Sequence, residues 1–127
     1  MDSPALVTDQ ISSGATVLER LEEAHISVRA ALWSYNVEAG EWRYVVATSL
    51  ADVEGPRALY ERIQRALHRS EATKDFPFWR IEVLSPKSEL ISTLKRLLGK
   101  IENPSGLSFA IQGGTPYDTN ILVYRLR

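Results

Sequence analysis

The chain has 127 residues, with 15 Lys and Arg against 16 Asp and Glu, a net charge of −1, and 44% apolar and 24% charged residues. That length suits one domain, and that composition excludes a disordered or low-complexity chain, because enough apolar side chain is present to offset the entropy of ordering. The absence of Cys excludes disulfides, thiol catalysis and cysteine-ligated metals.

Apolar runs such as Ile121 to Tyr124 stop at about four residues, far short of the roughly 20 that a bilayer requires. No basic-then-apolar leader opens the chain. The expectation is a soluble, cytoplasmic protein with no membrane partner.

Ser3-Pro4 reads as an N-cap followed by proline at the first helical position. Val7, Ile11, Leu18 and Leu21 then recur at helical spacing, which predicts a helix over 4–25. Gly14 in its interior costs about 1 kcal/mol relative to Ala, so either a close neighbour packs against that turn or the helix breaks there. From Ile26 the period becomes two, with Val28, Ala30 and Leu32 on one face and Arg29, Ala31, Trp33 and Tyr35 on the other. Asn36 to Glu41 carries the turn signal of Asn and Gly, and Trp42 to Thr48 resumes the alternation, so the two runs form a hairpin.

Gly55-Pro56 opens a second helix with Leu59, Ile63, Ala66 and Leu67 on its apolar arc, ending near Arg69. A third strand follows Phe76-Pro77-Phe78, with Trp79, Ile81 and Val83 on one side. Ser85-Pro86 repeats the cap-then-proline signature ahead of a third helix striped by Leu90, Ile91, Leu94, Leu97 and Leu98, and Gly99 suits its end. Leu107 to Gln112 and Thr119 to Leu126 are the last two strands, joined across Gly113-Gly114-Thr115-Pro116-Tyr117-Asp118. The order α-β-β-α-β-α-β-β predicts one α+β domain over 1–127. Its architecture is a two-layer sandwich of three helices on a mainly antiparallel or mixed five-stranded sheet.

Charge divides unevenly. Residues 1–55 hold nine acids and three bases, net −6, and residues 56–100 hold ten bases and five acids, net +5. Arg57, Arg62, Arg65, Arg69, Lys95, Arg96 and Lys100 could together grip phosphates, if their two helices are adjacent. Glu61, Glu71 and Glu89 interrupt the set, and a solvated helical face is the plainer account. Trp33, Tyr35, Trp42 and Tyr44 fall on matching strand faces, as a platform for stacking bases or as a cluster packed beneath helices. Glu22-x-x-His25 has the spacing of a carboxylate-bridged di-metal site, but its second pair is missing; a helix-end histidine is the simpler reading.

Gly113-Gly114 lacks the Gly-Lys-Ser/Thr of a phosphate loop, and no serine sits in a Gly-x-Ser-x-Gly elbow. Tyr117, Asp118, Asn120 and Tyr124 are polar groups that could meet around the last hairpin, though turns use the same residues.

These features point to an interaction or regulatory module without a cofactor. It is expected to form a homodimer through the last strand, where Leu122 and Tyr124 lie on a segment apolar on both faces. Nucleic-acid binding through the basic helices or the aromatic hairpin is one alternative. A small enzyme built from Asp, Glu, Arg and Tyr is another, since catalysis depends on geometry that spacing alone does not display.

Overall fold

The computed structural model describes residues 8–101, 107–110 and 120–127. In chain order the elements are α1 (Thr8–Glu23), β1 (Ala30–Asn36), β2 (Glu41–Ala47), α2 (Leu50–Glu54), α3 (Pro56–His68), β3 (Ile81–Leu84), α4 (Glu89–Leu98), β4 (Leu107–Ala110) and β5 (Asn120–Leu126). The strands form one mixed sheet in the order β3-β2-β1-β5-β4, in which only the β2–β3 pair is parallel among the described residues. The α+β class therefore agrees with the periodicity. No helix among the described residues is long and apolar enough to cross a membrane.

Two apolar clusters occupy the two faces of this sheet, which corrects the expected two-layer sandwich. Ala31 and Trp33 of β1, Trp42, Tyr44 and Val46 of β2, and Leu122 and Tyr124 of β5 pack with Val17 and Leu21 of α1 and Leu59, Ile63 and Leu67 of α3. The alternate residues Ala30, Leu32, Val45, Ala47, Ile121 and Val123 pack instead with Leu90, Ile91 and Leu94 of α4. Strands apolar on both faces need cover on both, and the crossover from β3 carries α4 to the second face. The result is three layers.

Local chemistry explains where the boundaries moved. The Ser3-Pro4 cap lies outside the described residues. At its other end α1 closes with His25 at φ +62°, where His25 N donates to Glu22 O and Ile26 N to Leu21 O. That is a Schellman closure with histidine where glycine is usual, sealed by the buried Leu21 and Ile26. The unexpected α2 arises because Thr48 Oγ1 accepts from Leu50 N, and it stops at Gly55, whose φ of +87° is open to glycine. The third strand starts later than expected. Arg80 N donates to Pro77 O and Ile81 N to Phe78 O, winding Phe78–Arg80 into a 3₁₀ turn. The cap of α4 is Ser88, accepting from Ile91 N, after a turn closed by Ser88 N and Ser85 O.

Gly14 is a close approach and not a break. A Cβ there would lie 2.7 Å from both Trp33 Nε1 and Tyr124 Cε2, inside any real carbon contact. Three aromatic donors use that approach: Trp33 Nε1 reaches Gln10 O, Tyr124 Oη reaches Ile11 O at 2.5 Å, and Tyr44 Oη reaches Gly14 O at 2.7 Å. One from each of the three central strands, they dock α1 on the sheet and satisfy their own buried polar atoms.

Candidate functional site

Sheet edges are where unpaired backbone remains, and β3 is one of them. Leu84 O accepts from Thr48 N of the chain leaving β2, so the alternation turns the backbone of Glu82 and Leu84 inward and that of Ile81 and Val83 outward. The Ile81 N–H already serves Phe78 O. The Val83 N–H and the carbonyls of Ile81 and Val83 thus face away from the sheet, and no described strand pairs with them.

The surroundings of this edge are aromatic. Tyr60 of α3 donates its hydroxyl to Phe78 O, and burial raises that hydroxyl above the ordinary tyrosine range, keeping it a neutral donor. The Phe78 ring lies 6.2 Å from Tyr60, 6.0 Å from His68 and 5.7 Å from Trp79, each edge to face. Trp79 stands at the outer end of this row with 66% of its surface exposed, whereas Trp33 and Trp42 are at 1% and 7%. Beside it, Pro56, Arg57, Tyr60, Glu61 and Gln64 of α3 and Val83 of β3 line an open groove of about 540 Å³.

Both charge signs border the groove. The Arg57 side chain is 96% exposed, 3.9 Å from Glu61. On the other face of the edge, Glu41 lies between Arg43 and Arg80, at 3.2 and 3.6 Å, and Glu82, opposite Val45 in the register, is exposed.

The contrast among the three tryptophans is directly measurable. Acrylamide should quench a red-shifted component of the emission, and Trp79→Phe should remove that component while leaving the buried pair's blue-shifted emission. Quenching that survives Trp79→Phe would contradict this placement.

A second cavity, about 260 Å³, opens between Asp9, Gln10 and Ser13 of α1 and the segment from Glu71 to Pro77, with Trp33 and Phe76 behind. Asp9, Glu71 and Asp75 at its mouth are exposed, and Lys74 pairs with Glu71 at 2.9 Å. Among the described residues no group of three His, Cys, Asp or Glu side chains is placed to hold a metal.

The structure disperses most of the residues singled out from the sequence. Trp33, Tyr35, Trp42 and Tyr44 do share a face, in the register Trp33↔Tyr44 and Tyr35↔Trp42, but it is the face beneath α1 and α3. Trp33, Trp42 and Tyr44 are buried and Tyr35 half-buried, so they make no base-stacking platform. Arg57, Arg62, Arg65 and Arg69 belong to the layer of α3, and Lys95 and Arg96 to the layer of α4 across the sheet. The adjacency that a joint phosphate patch requires is missing, and Arg62 is taken by Glu54.

Leu122 and Tyr124 are buried at 6% and 1%, on a strand flanked by β1 and β4. The premise of an exposed terminal edge is therefore corrected. The second face of β5, thought to need a partner, is covered by α4. Glu22 is ion-paired with Arg125, and the left-handed turn at His25 takes the imidazole off the helix, which dismantles the Glu-x-x-His spacing. Gly113, Gly114, Tyr117 and Asp118 lie outside the described residues.

The β3 edge went unnoticed because Trp79 alternates with Ile81 and Val83 and reads as an inward strand residue. The signal available was Pro77 two residues earlier, which favours a turn over continued strand. Comparison with protein-family models, curated proteins and solved structures finds no match.

Proposed function

We propose that the protein is an interaction module that binds another polypeptide along the β3 edge, between that strand and α3. The exposure of Trp79 beside unpaired strand backbone is the observation that carries this reading. An exposed indole near an open groove offers a large apolar anchor to a partner, and tryptophan, tyrosine and arginine are the residues that dominate binding energy at interfaces. Trp79, Tyr60 and Arg57 supply all three within one surface. An extended segment added to β3 would satisfy its outward backbone groups, and alternate side chains would reach the groove.

Selection from a displayed library of random peptides, run in parallel on the wild-type chain and on Trp79→Ala, tests the reading. Extended, apolar-rich peptides should emerge for the wild type, and their affinity for Trp79→Ala should be about tenfold lower or worse. Peptides that bind both proteins equally, or no enrichment with a protein that also shows no self-association, would reject it.

A further inference from the structure

We infer that the segment bound at this edge is acidic: an extended stretch of a partner polypeptide with a short apolar core between carboxylate-bearing flanks. This rests on the reading of the β3 edge as an interaction surface and adds the chemistry of its occupant. The outward backbone of β3 amounts to the Val83 N–H and the carbonyls of Ile81 and Val83, because the Ile81 N–H serves Phe78 O. So short a ladder holds an extended segment but does not choose among sequences. Selectivity therefore falls to the side chains of α3 and of the turn before β3.

Those side chains change character along the edge. The first turn of α3 places Arg57 beside Val83, and its last places His68 against the Phe78 ring. Between these ends Tyr60 and Val83 give the groove apolar surface, and Trp79 stands exposed in the row beyond Phe78. The charge left over is positive. Arg57 is 96% exposed and 3.9 Å from Glu61, while Arg65 and Arg69 are exposed with no ion pair among the described residues. Of the acids on α2 and β3, Glu54 is held by Arg62, Asp52 accepts from Ser85 Oγ at 3.1 Å, and Glu82 projects from the face opposite Ile81.

Three arginines thus face one acid, Glu61, in a chain whose net charge is −1, so the surplus is local. Guanidinium groups pair with carboxylates through two parallel hydrogen bonds. Arg57 and Arg69 are separated by about 18 Å along the helix at ~1.5 Å per residue. An extended chain covers that distance in roughly five or six residues, which sets the length of the apolar core. A nucleic-acid strand would meet the same arginines, but phosphates have no use for unpaired strand backbone and Glu61 would repel them. A polypeptide suits both features.

Fluorescence anisotropy is the test, with labelled peptides that carry the core Val-Thr-Leu-Thr-Val between runs of Glu, of Gln or of Lys, and with oligothymidine as an anion that is not a peptide. At low salt the wild type should bind the Glu peptide about tenfold more tightly than the Gln peptide, and the Lys peptide least. That advantage should shrink as salt rises, because exposed charges are screened. Arg57→Glu with Arg69→Glu, both at exposed positions, should keep the far-UV signal of the fold and reverse the order. Trp79→Ala should weaken the Glu peptide about tenfold, which places it on this surface. A Gln peptide bound as tightly as the Glu peptide, or an order that survives the double substitution, overturns the acidic preference and leaves the edge a polypeptide site. Oligothymidine bound more tightly than the Glu peptide, and released by the double substitution, overturns it in favour of nucleic acid. A folded protein that binds none of the peptides also overturns it, and the library selection then decides whether the edge binds polypeptide at all.

Discussion

Gly14→Val should destabilise the protein by about 4 kcal/mol, a large part of the roughly 5–15 kcal/mol that holds a domain of this size folded. The first added carbon meets Trp33 Nε1 and Tyr124 Cε2 at 2.7 Å, and both rings are themselves pinned by hydrogen bonds to α1. Neither is the loose end of a surface side chain that can swing away. Overpacking alone costs about 1–3 kcal/mol. Pushing α1 outward also stretches the Tyr44–Gly14 and Tyr124–Ile11 bonds, each worth about 1 kcal/mol. Removing glycine from a helix interior returns less than 1 kcal/mol of propensity with a β-branched residue, so the sign is settled. The measurement is urea unfolding of wild type and variant. A midpoint that is unchanged or raised would mean that α1 does not sit this close to the sheet.

Stability should also fall steeply between about pH 10 and pH 12. Burial, with Tyr124 nearby, raises the Tyr44 hydroxyl well above its ordinary value, and burial pushes Tyr124 up to about 12. The folded state thus keeps both groups protonated at pH values where the unfolded chain, near the reference of about 10, has already lost the protons. The contribution of each is complete below pH 10 and is lost as pH rises towards the folded value, at up to about 1.4 kcal/mol per pH unit per group. Tyrosinate absorbance should therefore rise in two stages, the second coinciding with loss of far-UV signal. Tyr44→Phe should make the loss of stability per pH unit above pH 10 shallower than in the wild type, because one of the two linked groups is gone. A single early stage with the fold intact would show these hydroxyls to be solvated.

Both expectations depend on one junction, and its parts were unequally visible. The helical stripe Ile11, Leu18, Leu21 and the alternation that puts Trp33 opposite Tyr44 are written in the order of residues, because a helix or a strand is periodic and its buried face follows from the period. The odd Gly14 was visible too, as a local cost lacking a local cause. Its cause, Tyr124, lies 110 positions away in the chain, and no spacing rule links them.

The amino-acid sequence by itself determined the α+β class, the hairpin, the course of α3 and which residues of β1 and β2 share a face, since each follows from short-range pattern and turn chemistry. Only the tertiary structure decided which strands are edges. β5 looked terminal because it is last in the chain, yet its backbone is satisfied on both sides by β1 and β4. β3 lies mid-chain and is exposed. Strand order depends on which crossover packs on which face, and that choice is a balance of non-local burial to which α4 contributes from the far side of the sheet. The same non-local choice separates the arginines of α3 from the cations of α4, buries Leu122 and leaves Trp79 in water.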